Sequence, residues 1–257
     1  MAFTPRDLLY RAYALRLERA VRMGKLTEHV GVILDGNRRW ARAMGYNDTS
    51  EGHRRGAAKI DELLGWCTDL GIQVVTLWLL STENLEGRDP GELDELLRVI
   101  EEKVTSLAGA GRWRIRALGT LELLPERTRQ TIEDAGRASL GRDGPLLNVA
   151  VGYGGRQEIA DATRRMLESF AAEGIELDEA AKRVTPEEIA RYLYTAGLPD
   201  PDLIIRTSGE VRLSGFLLWQ SAHSEYYFCD PYWPDFRRID FLRAVREYQQ
   251  RHRRFGR

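Results

Sequence analysis

The chain has 257 residues, of which 38 are basic and 39 acidic, so its formal net charge is −1; 43% of its residues are hydrophobic. That balance excludes a globally basic surface of the kind that binds nucleic acid, and the apolar fraction is that of an ordinary globular protein. No apolar run approaches the roughly 18 to 20 residues of a membrane span. The two cysteines, Cys67 and Cys229, sit in apolar or aromatic contexts. Two thiols make no disulfide framework, and both read as buried thiols of a cytoplasmic protein.

The first 24 residues, MAFTPRDLLYRAYALRLERAVRMG, lack the apolar core of a signal peptide. Leu8, Leu9, Tyr13 and Leu17 fall at helical spacing among arginines. They predict a helical extension over residues 1–28. Its apolar face packs on the domain or touches an anionic membrane surface reversibly. Beyond it, short apolar runs alternate with helical patterns. A strand at Val30–Leu34 precedes helices at Arg39–Met44 and Ala57–Leu70. A strand at Val74–Leu80 is followed by a helix at Gly91–Leu107, and one at Arg114–Leu118 by a helix at Pro125–Ala138. A strand at Leu147–Val151 leads to helices at Gln157–Ala172 and Pro186–Ala196. Strands at Leu203–Ile205 and Tyr226–Cys229 and a helix at Phe241–His252 complete the chain. Thr185-Pro186-Glu187-Glu188 is a well-formed helix entry: a capping threonine, a proline in the first turn, and acids at the positive end of the dipole. Alternation of this kind predicts an α/β fold, with a mostly parallel six-stranded sheet flanked by helices. With no repeat or low-complexity linker, one domain over residues 1–257 is the simplest organisation.

In such sheets ligands collect beyond the carboxyl ends of the strands. Three polar sets follow predicted strands: Asp35-Gly36-Asn37-Arg38-Arg39, Ser81-Thr82-Glu83-Asn84, and Arg206-Thr207-Ser208-Gly209. All three are expected on one edge. None is a Walker loop, because the Gly-Lys-Ser/Thr ending is absent. GYGGR at 152–156 reads as a structural turn. Arginine planes match phosphate oxygens bidentately, and Arg39 lies near a helix start, where free N–H groups favour an anion. Arg206, Arg212 and Ser214 form a second anion-binding set. Two anion sites with a carboxylate between them point to two phosphorylated substrates and a hard metal. Asp35 and Glu225 are candidate oxygen ligands for Mg²⁺, which takes its remaining ligands from water and phosphate.

The segments DGNRRWA, GHRRGA, STEN, RTSGEVRLSGFLLWQSAHSEYYF and WPDF resemble the signatures of the cis-prenyltransferase family, which includes undecaprenyl diphosphate synthase. The resemblance runs from about His29 to the terminal RRFGR. It implies a Mg²⁺-dependent condensation of isopentenyl diphosphate with an allylic diphosphate, giving a Z double bond. By resemblance, Asp35 engages Mg²⁺ and helps ionisation. Gly36, Asn37, Arg38, Arg39 and His53 cradle the allylic diphosphate, and Trp40 closes the site beside the growing chain. Ser81 and Asn84 match a polar relay for the departing proton. Thr82, Glu83, Leu85 and Arg88 fall with them, Arg88 matching the arginine that follows the motif. Arg206, Arg212, Leu213 and Ser214 match the isopentenyl diphosphate site. Glu225 matches a glutamate that reaches the metal near a subunit interface. Arg254 and Gly256 match an Arg-x-Gly tail that crosses between subunits, which implies a homodimer.

Three features depart from the family pattern. Position 38 is arginine where many long-chain members have glycine. An arginine often found between the tryptophan and histidine motifs is missing. Arg88 lies one residue further from Asn84 than usual. At Leu79 many long-chain members have a small residue. Leucine there would obstruct the apolar tunnel in which the family grows its product, so a short product is expected: C15 (2Z,6E)-farnesyl diphosphate from geranyl diphosphate. The alternatives are a longer-chain synthase, an enzyme that couples two allylic units irregularly, and a non-catalytic accessory subunit.

Overall fold

The computed structural model describes residues 5–252. The elements, in chain order, are α1 (Pro5–Arg22), β1 (His29–Ile33), α2 (Asn37–Ala43), α3 (Ser50–Leu70), β2 (Val74–Ser81), α4 (Thr82–Gly87), α5 (Pro90–Ala110), β3 (Arg114–Leu118), α6 (Glu126–Ser139), β4 (Leu146–Tyr153), α7 (Gly155–Ala172), α8 (Leu177–Arg183), α9 (Pro186–Ala190), β5 (Leu203–Arg206), β6 (Glu225–Phe228) and α10 (Arg238–His252). The six strands form one sheet in the order β3-β4-β2-β1-β5-β6, and every pairing is parallel. β1 and β4 are buried along their whole length, as expected of strands covered on both faces.

Alternate residues of these strands feed two apolar clusters. The larger joins Val30, Val32 and Leu77 to Ile60 and Leu63 of α3, Leu96 and Val104 of α5, and Val245 of α10. The smaller gathers Ile33, Tyr153, Ile204, Phe216 and Leu217 on the other face. A buried polar chain crosses three strands. His29 Nδ1 meets the Pro199 carbonyl at 2.8 Å, His29 Nε2 meets Thr76 Oγ1 at 2.8 Å, and Asn148 Nδ2 donates to Thr76 Oγ1 at 2.9 Å. A one-residue slip would turn these groups into apolar surroundings, so the chain pins the register of β1, β2 and β4. Both cysteines are buried, and burial pushes the Cys229 thiol up to about 12.

All six strands lie where the sequence places them; the helices differ more. α3 starts at Ser50 and not at Ala57, because GHRRGA lacks the apolar stripe that announces a helix. Its glycines have another purpose. A Cβ on Gly52 would overlap the Asn37 carbonyl oxygen, and one on Gly56 would overlap the Asn37 side chain. Glycine at both positions lets α2 lie against α3. α2 begins at Asn37, two residues before its predicted start, and α10 at Arg238, three residues before. The short helices α4 and α8 were too brief to show a period. α9 begins at Pro186 with Thr185 as its cap, as predicted, Thr185 Oγ1 accepting from the Glu188 N–H at 3.1 Å. It stops at Ala190 and not at Ala196. Buried Glu158 captures the Tyr194 N–H at 2.9 Å, and Gly197 turns the backbone to φ +79°. The GYGGR segment is the turn from β4 into α7. Arg254 and Gly256 lie outside the described residues. α1 joins the core through Leu17 and Val21, and no helix among the described residues is long and apolar enough to cross a membrane.

Two glycines of α3 should answer alanine substitution with opposite signs. Gly65 is exposed with open space around its Cβ position, so Gly65→Ala should raise unfolding stability by about 0.5–1 kcal/mol. Gly52→Ala should lower it by about 1–3 kcal/mol through overpacking on Asn37. Urea unfolding of both variants checks this; a stabilised Gly52→Ala would remove the close-approach explanation.

Candidate active site

Parallel strands end together, so the segments after β1, β2 and β5 meet on one edge of the sheet. A cavity of about 870 Å³ opens there. Its mouth is polar: Asp35, Arg38, Arg39, Arg42, His53, Glu83, Asn84, Arg88, Arg206, Glu210, Arg212 and Ser214 all line it. Six arginines face four carboxylates there, Glu92 beside Arg88 included, which leaves the mouth net cationic. Its inner part is apolar and lies between β2, α3 and α5, with Ile60, Leu79, Leu80, Leu96, Val99 and Ile100 on its walls. An anion-binding mouth on a greasy cavity suits an amphiphile with a phosphorylated head.

Asp35 organises the mouth. One carboxylate oxygen accepts from Arg206 Nη2 at 2.8 Å and the other from Arg39 Nη2 at 3.1 Å. Burial on its own would raise the Asp35 pKa, but the Arg206 hydrogen bond and the Arg206 and Arg39 charges outweigh it and hold the carboxyl below the usual range. Arg39 also donates to Ser208 Oγ at 2.7 Å and to Glu210 at 3.1 Å. Arg206 donates to Ser214 Oγ at 3.0 Å and to the Arg212 carbonyl. Ser208, Ser214 and Leu217 all have positive φ (80°, 51° and 45°), a conformation costing non-glycine residues of order 1–3 kcal/mol each. Two of these strained residues offer their hydroxyls to the two arginines that hold Asp35.

A second group lies across the mouth. Glu92 accepts from Arg88 at 2.7 Å and faces Arg38 and His53, each at 3.6 Å. His53 is buried. Burial and the Arg88 charge lower its pKa to about 4, although Glu92 pulls the other way. The imidazole is therefore neutral at pH 7 and can give one hydrogen bond but no charge. Ser81 Oγ accepts from the Asn84 backbone N–H at 3.1 Å and caps α4.

β2 carries an irregularity at Leu79. Trp78 pairs with Ala150 and Leu80 with Val151, so Leu79 has no opposite residue. A bulge of this kind re-aims side chains. It sets Leu79 and Leu80 together on the larger cluster and on the cavity wall.

Some predicted site residues lie elsewhere. Trp40 is buried, stacked on Tyr46 at 5.9 Å, and does not line the cavity; its apolar bulk anchors α2 and does not cover the mouth. Thr82 lies against Gly154, Leu85 packs on the larger core and Leu213 on the smaller. None of the three lines the cavity. Glu225 lies far from Asp35 within one chain. It opens β6 in register with Leu203 and Val30, so about 16 Å of strand separates its level from Asp35. Its carboxylate pairs with Arg251 at 3.1 Å. Within one chain it cannot share an ion with Asp35. Glu92 and Arg42 escaped the sequence reading. Glu92 stands four residues after Arg88, the spacing of a helical ion pair, which was its one visible signal.

Residues 33–256 match the prenyltransferase family model described as undecaprenyl diphosphate synthase. The chain belongs to that family. Within it, the chain is 59% identical to the (2Z,6E)-farnesyl diphosphate synthase of Thermobifida fusca, across 96% of this chain and 97% of that one. It is 52% identical to the short-chain Z-isoprenyl diphosphate synthase of Mycobacterium leprae, across 98% and 97%. Among solved structures it resembles lavandulyl diphosphate synthase from Lavandula x intermedia in complex with dimethylallyl diphosphate. That likeness has a TM-score of 0.80 at 33% identity and covers 87% of this chain and 95% of that one.

The site can be tested for a family metal. Among the described residues no three His, Cys, Asp or Glu side chains cluster as a cation cage. One carboxylate, Asp35, stands among arginines, and the buried Nε atoms of Arg88 and Arg206 lack partners. That set fits Mg²⁺ carried in with a diphosphate, since this ion commonly takes one or two carboxylates and fills its remaining positions with phosphate and water.

The lowered His53 pKa has a defined sign. The unfolded chain takes up a proton on this residue below about pH 6.5, and the fold refuses it until about pH 4. The contribution of His53 to stability is therefore complete above pH 6.5 and falls as pH drops to 4. NMR should show the His53 ring titrating near 4, and added pyrophosphate with Mg²⁺ should move that titration upward. A ring titrating near 6.5 in the free protein would contradict the buried neutral imidazole.

Proposed function

We propose that this chain is a Mg²⁺-dependent cis-prenyltransferase that condenses isopentenyl diphosphate with geranyl diphosphate to give (2Z,6E)-farnesyl diphosphate, acting as a homodimer. The observation that carries the reading is one cavity in which a six-arginine mouth opens onto an apolar interior. The names of the relatives above support the short product.

In this reading the allylic diphosphate sits by Gly36, Asn37, Arg38, Arg39 and His53, with its chain along Leu79 and α5. Isopentenyl diphosphate is held by Arg206, Arg212 and Ser214. Arg39, Arg88 and Arg206 exchange their carboxylate partners for diphosphate oxygens as substrates enter. Asp35 would hold Mg²⁺ together with those oxygens, and the ion, when bound, supplies positive charge that stabilises the leaving diphosphate. The allylic C–O bond breaks, with the electron pair going to the diphosphate, and the isopentenyl double bond attacks the allylic carbon. Loss of the C2 proton then forms the Z double bond. Neutral Asn84 is a poor base, and the Ser81 hydroxyl already accepts from the Asn84 N–H, so the diphosphate takes the proton. Asn84 holds the isopentenyl group beside it. Glu225, Arg254 and Gly256 enter this reading through a second copy.

The test is incubation with Mg²⁺, labelled isopentenyl diphosphate and a panel of allylic primers, with products resolved by length. C15 from geranyl diphosphate is expected. Chains of C50 or longer would overturn the short-product reading. The likeness to lavandulyl diphosphate synthase supports a second reading, the coupling of two allylic units. A branched product from dimethylallyl diphosphate alone would establish it.

Two variants sharpen the assignment. Asp35→Ala should lower kcat by ~100-fold or more with KM little changed, because its help is given in the transition state; near-normal kcat in the folded variant refutes the role. Leu79→Ala should lengthen the products, at a stability cost near the lower end of the usual range, about 2 kcal/mol, because Leu79 is only partly buried. An unchanged length distribution would leave Leu79 a packing residue.

A further inference from the structure

One lining residue does not fit its surroundings. Lys103 is on the cavity wall, eleven residues beyond Glu92 on α5. At helical rise that is about 16 Å from the polar mouth, on the scale of an extended chain of three isoprene units. Its neighbours there are Val99 and Ile100 of α5 and Ile60 of α3. Lys103 is the last α5 residue to line the cavity, and Ile60 the last of α3. The next α3 residue, Asp61, accepts from Lys103 Nζ at 2.7 Å. The Lys103 side chain is 12% exposed and that of Asp61 57%. The stem is thus buried along the cavity while the ammonium reaches out between the helices to a carboxylate in water.

We propose that Lys103 is a specificity-determining residue whose stem, tethered through Asp61, forms the end wall of the product cavity. This deepens the short-product reading and rests on it. Leu79 narrows the cavity partway along, and Lys103 closes it. A product tail that has filled the cavity meets four methylenes with nowhere to go. Inward, the ammonium would have to leave both water and Asp61 for an apolar cavity, which is costly. Outward, the seam between α3 and α5 is held by the same ion pair. The cavity lining on α5 ends at Lys103, and the next residue, Val104, is fully buried in the larger cluster.

Removing the stem should lengthen the product, and replacing it with an uncharged stem of similar size should not. Wild type, Lys103→Ala, Lys103→Met and Leu79→Ala are compared with Mg²⁺, labelled isopentenyl diphosphate and geranyl diphosphate. The measured quantity is the ratio of C20 and longer products to C15. Lys103→Ala is expected to raise this ratio roughly tenfold or more, with Lys103→Met close to wild type. Lys103→Ser provides a second truncation should the alanine variant misfold. An unchanged ratio in the folded truncations, with Leu79→Ala lengthening the product, overturns the role of Lys103 and leaves the short-product reading standing. Equal lengthening by Lys103→Met also overturns it, because the stem would then not be the wall. Long chains from wild type would overturn the short-product reading itself.

Discussion

The contact on which the site depends joins the ends of two neighbouring strands. Ile33 of β1 pairs with Arg206 of β5, and Asp35 follows two residues later. The Arg206 side chain is 6% exposed and the Asp35 side chain 28%. A guanidinium so deeply placed needs its counter-charge, since removing one member of such a pair leaves an uncompensated buried ion. Arg206 also holds the Arg212 carbonyl and the Ser214 hydroxyl, so it fixes the following loop. Asp35 passes the same constraint to Arg39, and through it to Ser208 and Glu210. Two stretches of sequence some 170 residues apart are thus bound into one cationic surface.

That surface sits over a wall that the sheet alone could not build. A regular β2 would send Leu79 and Leu80 to opposite faces. The bulge places both on the side of α3 and α5, where the cavity lies. The glycines of α3 act on the other wall, by bringing that helix close to Asn37. Head-group site and tail site are coupled through short, stiff connections, and small changes in packing at either should reach both.

Much of this was legible in the sequence because it rests on strong local signals. The strands are apolar runs bounded by polar turns, and strand-end chemistry follows from parallel topology. Asp35, Arg39, Asn84 and Arg206 could be grouped on that ground before any coordinates. The failures have physical reasons. α3 hides its first two turns because glycines and charges at GHRRGA serve packing and not amphipathicity. α9 ends early because a distant buried carboxylate takes a backbone N–H. The resemblance led Trp40 towards the substrate, but the indole finds Tyr46 and the core. The separation of Glu225 from Asp35 within one chain was also hidden, because sequence order says nothing of which end of a strand a residue occupies. Glu92 and Lys103 gave no signal beyond helical spacing, since their meaning depends on which helices come together.

The carboxylates facing the arginines have one further consequence. Asp35, Glu92 and Glu210 serve as internal counter-ions for Arg39, Arg88, Arg206 and Arg212. The resting mouth is therefore not a bare positive field open to any passing anion. A ligand must displace these partners, and a single phosphate has fewer oxygens than a diphosphate with which to replace them. A diphosphate carrying its own cation offers several acceptors to the arginines and a new partner for the displaced acid at once. Binding of a head group here is thus an ion exchange within the protein's own charge pairs, in which the number of acceptor oxygens counts before any part of a hydrocarbon is inspected.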